Sequence, residues 1–163
     1  MPVKPLAILF LFCASVASAQ ERPHTLVLVT NCSWVADKNN DGDSFRISIG
    51  TSNFIVRLYD VDCPDLKPIS AERHAAQTNH FKADGEKLIE IGRVAARFTS
   101  NQLARPFSVI TRYAHSYGGP RVLAYAITGD GADLGTMLIS NNLAHANGGK
   151  YNPPPAALVH GAK

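Results

Sequence analysis

A run of alternating apolar and polar residues, joined by a short turn to a second strand-like run, constrains this chain more than any other feature. In "SFRISIG", Phe45, Ile47 and Ile49 alternate with Ser44, Arg46 and Ser48, and "NFIVRLYDV" (53–61) follows after Gly50-Thr51-Ser52. A period of two marks strands with one buried face, so residues 44–61 read as a β-hairpin. With the turn tip at residues 50–51, paired positions sum to about 101. Arg57 then lies opposite Ser44 and beside Asp43, and Asp62 falls just past the paired region, near Asn39 and Asn40.

The hairpin sits in an acidic neighbourhood. Asp37, Asp41, Asp43, Asp60, Asp62 and Asp65 are six of the 13 acidic residues, with only Lys38, Arg46 and Arg57 among them. So dense a carboxylate cluster repels itself unless a cation sits in it. "DKNNDGDS" (37–44) opens like a helix–loop–helix calcium loop, with Asp37, Asn39 and Asp41 at alternate positions and Gly42 next. Its twelfth position is Ser48 instead of a bidentate Glu, and the residues after Asp43 form a strand, so the loop does not close on an ion alone. The hairpin supplies the missing partner: one cation shared by Asp43 and Asp62, with Arg57 close by. Carboxylate oxygens are hard ligands suited to Ca²⁺ or Mg²⁺. Two of them leave most coordination positions to water, carbonyls and a substrate, which fits catalysis better than storage. A hairpin with solvated acids neutralised by Arg57 would have the same spacing.

The first nineteen residues, "MPVKPLAILFLFCASVASA", carry one Lys, an apolar run from Leu6 to Phe12 and Ala17-Ser18-Ala19. They read as a secretory signal cleaved after Ala19, the apolar run being far short of the roughly 20 residues that span a bilayer. Export to a periplasm or outside is expected, with no membrane association afterwards. Without Lys4 the chain keeps 15 basic residues against 13 acidic ones. A balance that slight permits a polyanion partner without arguing for one. Cys32 and Cys63 remain after cleavage. An even pair in an oxidising compartment suggests a disulfide, contributing roughly 3–4 kcal/mol, against the alternative of two buried free thiols.

Elsewhere, residues 24–30, 107–113 and 121–127 read as strands. Residues 70–104 read as two helices, the second with Ile91, Val94, Ala95, Phe98 and Leu103 along one face. A short helix is expected over 133–143 with Asp133 as its cap, and an irregular tail over 148–163. The sequence therefore describes one α+β domain over 20–147. Element order fits a small Greek-key barrel with packed helices, and nearly as well a generic α+β sandwich.

Four segments in order, "DGDSFRI", "FIVRLYDVDCPD", "YGGPRVLAYAI" and "DLGTMLISNNLAHA", resemble the staphylococcal nuclease-like, or thermonuclease, family over roughly residues 41–147. The intervals of 14 from Asp43 to Arg57, 5 to Asp62 and 3 to Asp65 carry the resemblance. It implies a five-stranded oligonucleotide-binding (OB-type) β-barrel with two to three helices, acting on DNA, with RNA as the alternative substrate, and using one Ca²⁺ ion. It assigns Asp43 and Asp62 as calcium ligands, with the backbone carbonyl of Cys63 as a further one. Arg57 and Arg121 match the arginines that hold the scissile phosphate, and Tyr117 would lie near that phosphate. Asp65 occupies the place of a glutamate that positions or deprotonates the attacking water, one methylene shorter. "YGGPR" has two residues more than the usual Tyr-Gly-Arg, and the segment between Asp65 and the second helix is longer than in the best-known members.

The chemistry suits those residue types. Water attacking a phosphodiester concentrates charge on oxygens already negative, which a divalent cation and two guanidinium groups neutralise. A carboxylate near the water serves as base. The expectation is an exported, monomeric calcium-dependent nuclease. The alternatives are an inactive barrel that holds nucleic acid or another ligand, and a structural calcium protein. His74, His80, His115 and His145 share no ligand spacing and read as solvated or capping. Tyr151 reads as a surface tyrosine of the tail, or else a stacking platform for a base. "NCS" (31–33) matches a glycosylation acceptor.

Overall fold

Ser44–Ile49 and Ser52–Leu58 pair antiparallel, with Ser44 opposite Arg57 and Ile49 opposite Ser52, the register that a turn tip at 50–51 requires. Gly50 holds the turn at a φ of 58°, where a side chain would be strained. The computed structural model describes residues 25–67, 70–115 and 121–162. In chain order the elements are β1 (Val27–Trp34), β2 (Ser44–Ile49), β3 (Ser52–Leu58), β4 (Val61–Asp62), α1 (Ala71–Phe81), α2 (Gly85–Gln102), β5 (Phe107–His115), β6 (Arg121–Ile127), α3 (Leu134–Ser140), β7 (His145–Ala146) and α4 (Ala156–His160).

Five strands close into a ring in the order β1-β2-β3-β6-β5, with β5 returning to β1. All contacts are antiparallel except β3 with β6, which run parallel with Arg57 beside Leu123. β4 and β7 form a separate two-residue pair that sets Asp62 opposite His145. The architecture is α+β. The inward faces of the strands fill the ring: Phe45 and Ile47 from β2, Val56 and Leu58 from β3, Val109 from β5, Ala124 and Ala126 from β6. Each large apolar side chain buried there contributes about 1.5–3 kcal/mol relative to exposure.

Several boundaries differ from expectation. β1 occupies 27–34 instead of 24–30, because its register shifts between Val29 and Cys32 and Asn31 takes a φ of 58°. That irregularity breaks the alternation by which the strand would be found. The buried face of α2 is Leu88, Gly92, Ala95 and Thr99, while Val94 faces solvent. α2 lies too close to the acidic loop for larger residues: a Cβ on Gly92 would stand 2.5 Å from the Pro64 carbonyl oxygen. The described residues hold four helices, not two or three. The tail is not irregular throughout, since Pro155 precedes α4 and proline suits the start of a helix. Asp133 caps α3 as expected, accepting the Thr136 N–H at 3.0 Å.

α2 also fixes the loop before β2. Thr99 Oγ1 donates to the Gly42 carbonyl at 2.7 Å, and a Cβ on Gly42 would meet Cys63 Sγ at 2.6 Å and Ala95 Cβ at 2.7 Å. Gly42→Ala should therefore destabilise the fold by about 1–3 kcal/mol through overpacking. Urea unfolding checks this, and restoring space with Cys63→Ala in the same chain should recover part of the loss.

Candidate functional site

The start of β2, the end of β3 and β4 converge on one guanidinium. Arg57 Nη1 bonds Asp43 Oδ1 in a close contact, and Nη2 donates to Asp62 Oδ1 at 2.7 Å and to the Val61 carbonyl at 3.0 Å. The second oxygen of Asp43 accepts the Cys63 N–H at 2.6 Å. Hairpin register places Arg57 against Ser44, and the turn at Asp60, with φ at 52°, brings Asp62 back beside it. Asp41 accepts the N–H groups of Asp43 and Ser44, which sets the loop's curvature.

Arg121 enters from the first residue of β6, where its Nη1 donates to Ser44 Oγ at 3.3 Å. Arg57, Arg121, Asp41, Asp65 and Arg73 line one cavity of about 540 Å³, whose other wall includes Leu58, Tyr59, Leu123 and Asn147. The structure thus brings together Asp43, Arg57, Asp62, Cys63, Asp65 and Arg121. Tyr117 lies outside the described residues, as does the segment 1–19.

Three residues of this site carried no signal in the sequence. Arg73 on α1 bonds Asp65 Oδ2 at 2.6 Å and Asp62 Oδ1 at 2.7 Å. Gln77, one turn later, is buried and bonds Asp62, Asp65 and the Cys63 carbonyl. His145, read as solvated or capping, stands half-buried with Nε2 3.2 Å from Asp62 Oδ2, off the direction of a hydrogen bond, and its ring tilts against His80. The β4–β7 pairing puts it there, a long-range contact that spacing does not reveal.

Two further expectations change. Tyr151 is neither a free surface residue nor an open platform. Its hydroxyl donates to Asp133 Oδ2 at 2.7 Å while its ring covers Gly135. Burial, reinforced by the Asp133 charge, raises its pKa well above the ordinary value. Cys32 and Cys63 do not form a disulfide; both are free, buried thiols. Cys32 lies in β1 opposite Phe107 with its thiol toward the Val29 carbonyl, whereas Cys63 packs on Gly42 beside α2. Burial pushes the Cys32 thiol up to about 11 and Cys63 well above its usual value, so both stay protonated.

The carboxylates divide electrostatically. Burial outweighs the opposing charge of Arg57 and, with the charges of Asp41 and Asp62 adding to the rise, leaves Asp43 pushed up to about 8. Asp41 is likewise raised, chiefly by burial. At Asp62 burial acts the same way, but Arg73 and Arg57 outweigh it and hold the carboxyl below its ordinary value. A carboxyl raised on folding stabilises fully below its unfolded pKa, and that contribution is lost as pH rises through the folded value. Asp43→Asn has no proton to lose there. In chelator, its stability relative to wild type should therefore improve between about pH 4 and pH 8, whatever the constant cost of the amide. Urea unfolding across that range checks the trend.

Among the described residues, no three acidic, histidine or cysteine side chains gather into a metal-holding group; Asp43 and Asp62 meet on Arg57 instead. No helix there is long and apolar enough to cross a membrane. Neither a protein-family model nor a curated protein matches this chain.

Proposed function

We propose that this protein is an exported calcium-dependent nuclease, built on an OB-type barrel, that hydrolyses phosphodiester bonds of DNA, with RNA as the alternative substrate. The observation that carries the reading is that Arg57, Arg121 and Asp65 line one cavity, with Asp43 and Asp62 joined beside it by Arg57. Two guanidinium groups facing one cavity suit a phosphodiester, since each planar fork can grip two oxygens and stays charged at any working pH.

The donor set of Asp43, Asp62 and the Cys63 carbonyl is entirely hard oxygen and fits Ca²⁺. When bound, the ion would supply charge to the phosphate oxygens as the transition state forms. Arg57 would turn from the carboxylates to the phosphate, and Arg121 would hold the same group from β6. Asp65 would take a proton from water as the water oxygen bonds to phosphorus in line with the leaving oxygen. The P–O5′ bond breaks, leaving a 3′-phosphate, and solvent protonates the 5′-oxygen to a free hydroxyl.

The test is cleavage of single-stranded and plasmid DNA by the chain from Gln20 onward, in excess Ca²⁺ and in chelator, with Asp62→Ala as control. Calcium-dependent cleavage that disappears in the variant is expected. DNA retained in a salt-sensitive manner without cleavage would instead identify a nucleic-acid-binding module.

A further inference from the structure

We infer that α1 is an arm of the catalytic site, and that Gln77 on it is the positioning residue that sets where Asp65 stands. This rests on the hydrolytic reading above and adds to it a residue that no part of that mechanism requires.

The helix has eleven residues, and the one among them that is buried is Gln77, at 1% exposure. A helix docked by the hydrophobic effect buries an apolar stripe; this one buries an amide against the acid cluster. Both ends of that amide are engaged. Oε1 accepts the Asp65 N–H at 3.3 Å, while Nε2 lies 2.8 Å from Asp65 Oδ2, 3.2 Å from Asp62 Oδ2 and 3.2 Å from the Cys63 carbonyl. Main chain and side chain of Asp65 are thus held by one group. Arg73, four residues earlier on the same face, closes the grip on Asp65 Oδ2 and Asp62 Oδ1.

The grip is one-sided. Every bond from α1 to the Asp65 carboxyl falls on Oδ2, and among the described residues Oδ1 accepts none. One oxygen is the anchor and the other is left for water, as a base held in a fixed pose requires. Gln77 itself does not line the cavity, so it acts through Asp65 and Asp62. A displacement of about 1 Å at a reacting group can cost on the order of a hundredfold in rate. Gln77→Met keeps the length and volume of the side chain and removes the donor and acceptor.

The experiment compares wild type, Gln77→Met and Leu88→Ala in the chain from Gln20 onward. Leu88 is a buried α2 residue outside the site, and its variant serves as a stability control. Readouts are kcat and KM for DNA in excess Ca²⁺, melting temperature, and exchange of the Asp65 amide by NMR. The expected result for Gln77→Met is a kcat lower by about 30- to 100-fold with KM within about twofold, and faster exchange at Asp65. Leu88→Ala should lose melting temperature with kcat retained. A kcat unchanged in Gln77→Met, or reduced no more than in Leu88→Ala, overturns the inference. If wild type does not cleave, the hydrolytic reading falls, and exchange alone decides: acceleration upholds Gln77 as the holder of Asp65, and unchanged exchange overturns it.

Discussion

Arg57→Ala is expected to melt on the order of 10–20 °C below wild type at neutral pH and to lose cleavage altogether. Its guanidinium is the group that Asp43 and Asp62 share, and both carboxyls are almost fully buried. Removing that donor leaves Asp62 to Arg73 alone and leaves the buried Asp43 carboxyl to carry its proton or stand uncompensated, at a cost of up to about 3–5 kcal/mol. Arg57→Lys should recover only part of this, since one ammonium cannot hold both carboxylates and the Val61 carbonyl in a planar fork. Thermal melts in chelator separate the cases. A variant that melts within a few degrees of wild type would mean that the proton on Asp43 neutralises it as well as Arg57 does. Calcium should raise the melting temperature of Arg57→Ala more than that of wild type, because no guanidinium then competes for the carboxylates.

Arg121→Ala should show the opposite division: cleavage lower by about 10²- to 10³-fold, with the melting temperature hardly moved. That magnitude is typical of removing one preorganised donor to developing charge. Arg121 is half-buried, and its described polar contact is a 3.3 Å bond to Ser44 Oγ. Little stability is invested in it, because Asp43 and Asp62 are neutralised by Arg57 and Arg73. Steady-state kinetics beside a melt of the same preparation gives both numbers. Equal loss of stability in the two arginine variants would contradict this division of labour.

The parts of the site that could be read in the sequence are those set by local pairing. Alternation and Gly50 define the β2–β3 register, and that register alone brings Arg57 to Asp43. What could not be read depends on distant packing or on exceptions to apolar patterning. Gln77 is a polar residue at the buried position of α1, so periodicity of apolar residues points away from it. Arg73 resembles any exposed helical arginine until α1 is docked. His145 reaches Asp62 because two residues of β7 pair with β4, and Tyr151 leaves the tail because Asp133 offers it an acceptor. The Cys32–Cys63 expectation came from compartment and parity, and neither carries distance.

The closed ring has a consequence for how copies of this chain meet. In an open sheet the outer strands present unpaired amides and carbonyls, which another chain can extend into a growing ladder. Here each of the five strands has a neighbour on both sides within its own ring, although β1 and β2 meet over two paired positions only. The other pair among the described residues, β4 with β7, is two residues long. Among the described residues, native molecules therefore offer only short stretches for adding strand to strand, and aggregation on heating should follow the opening of the ring instead of preceding it.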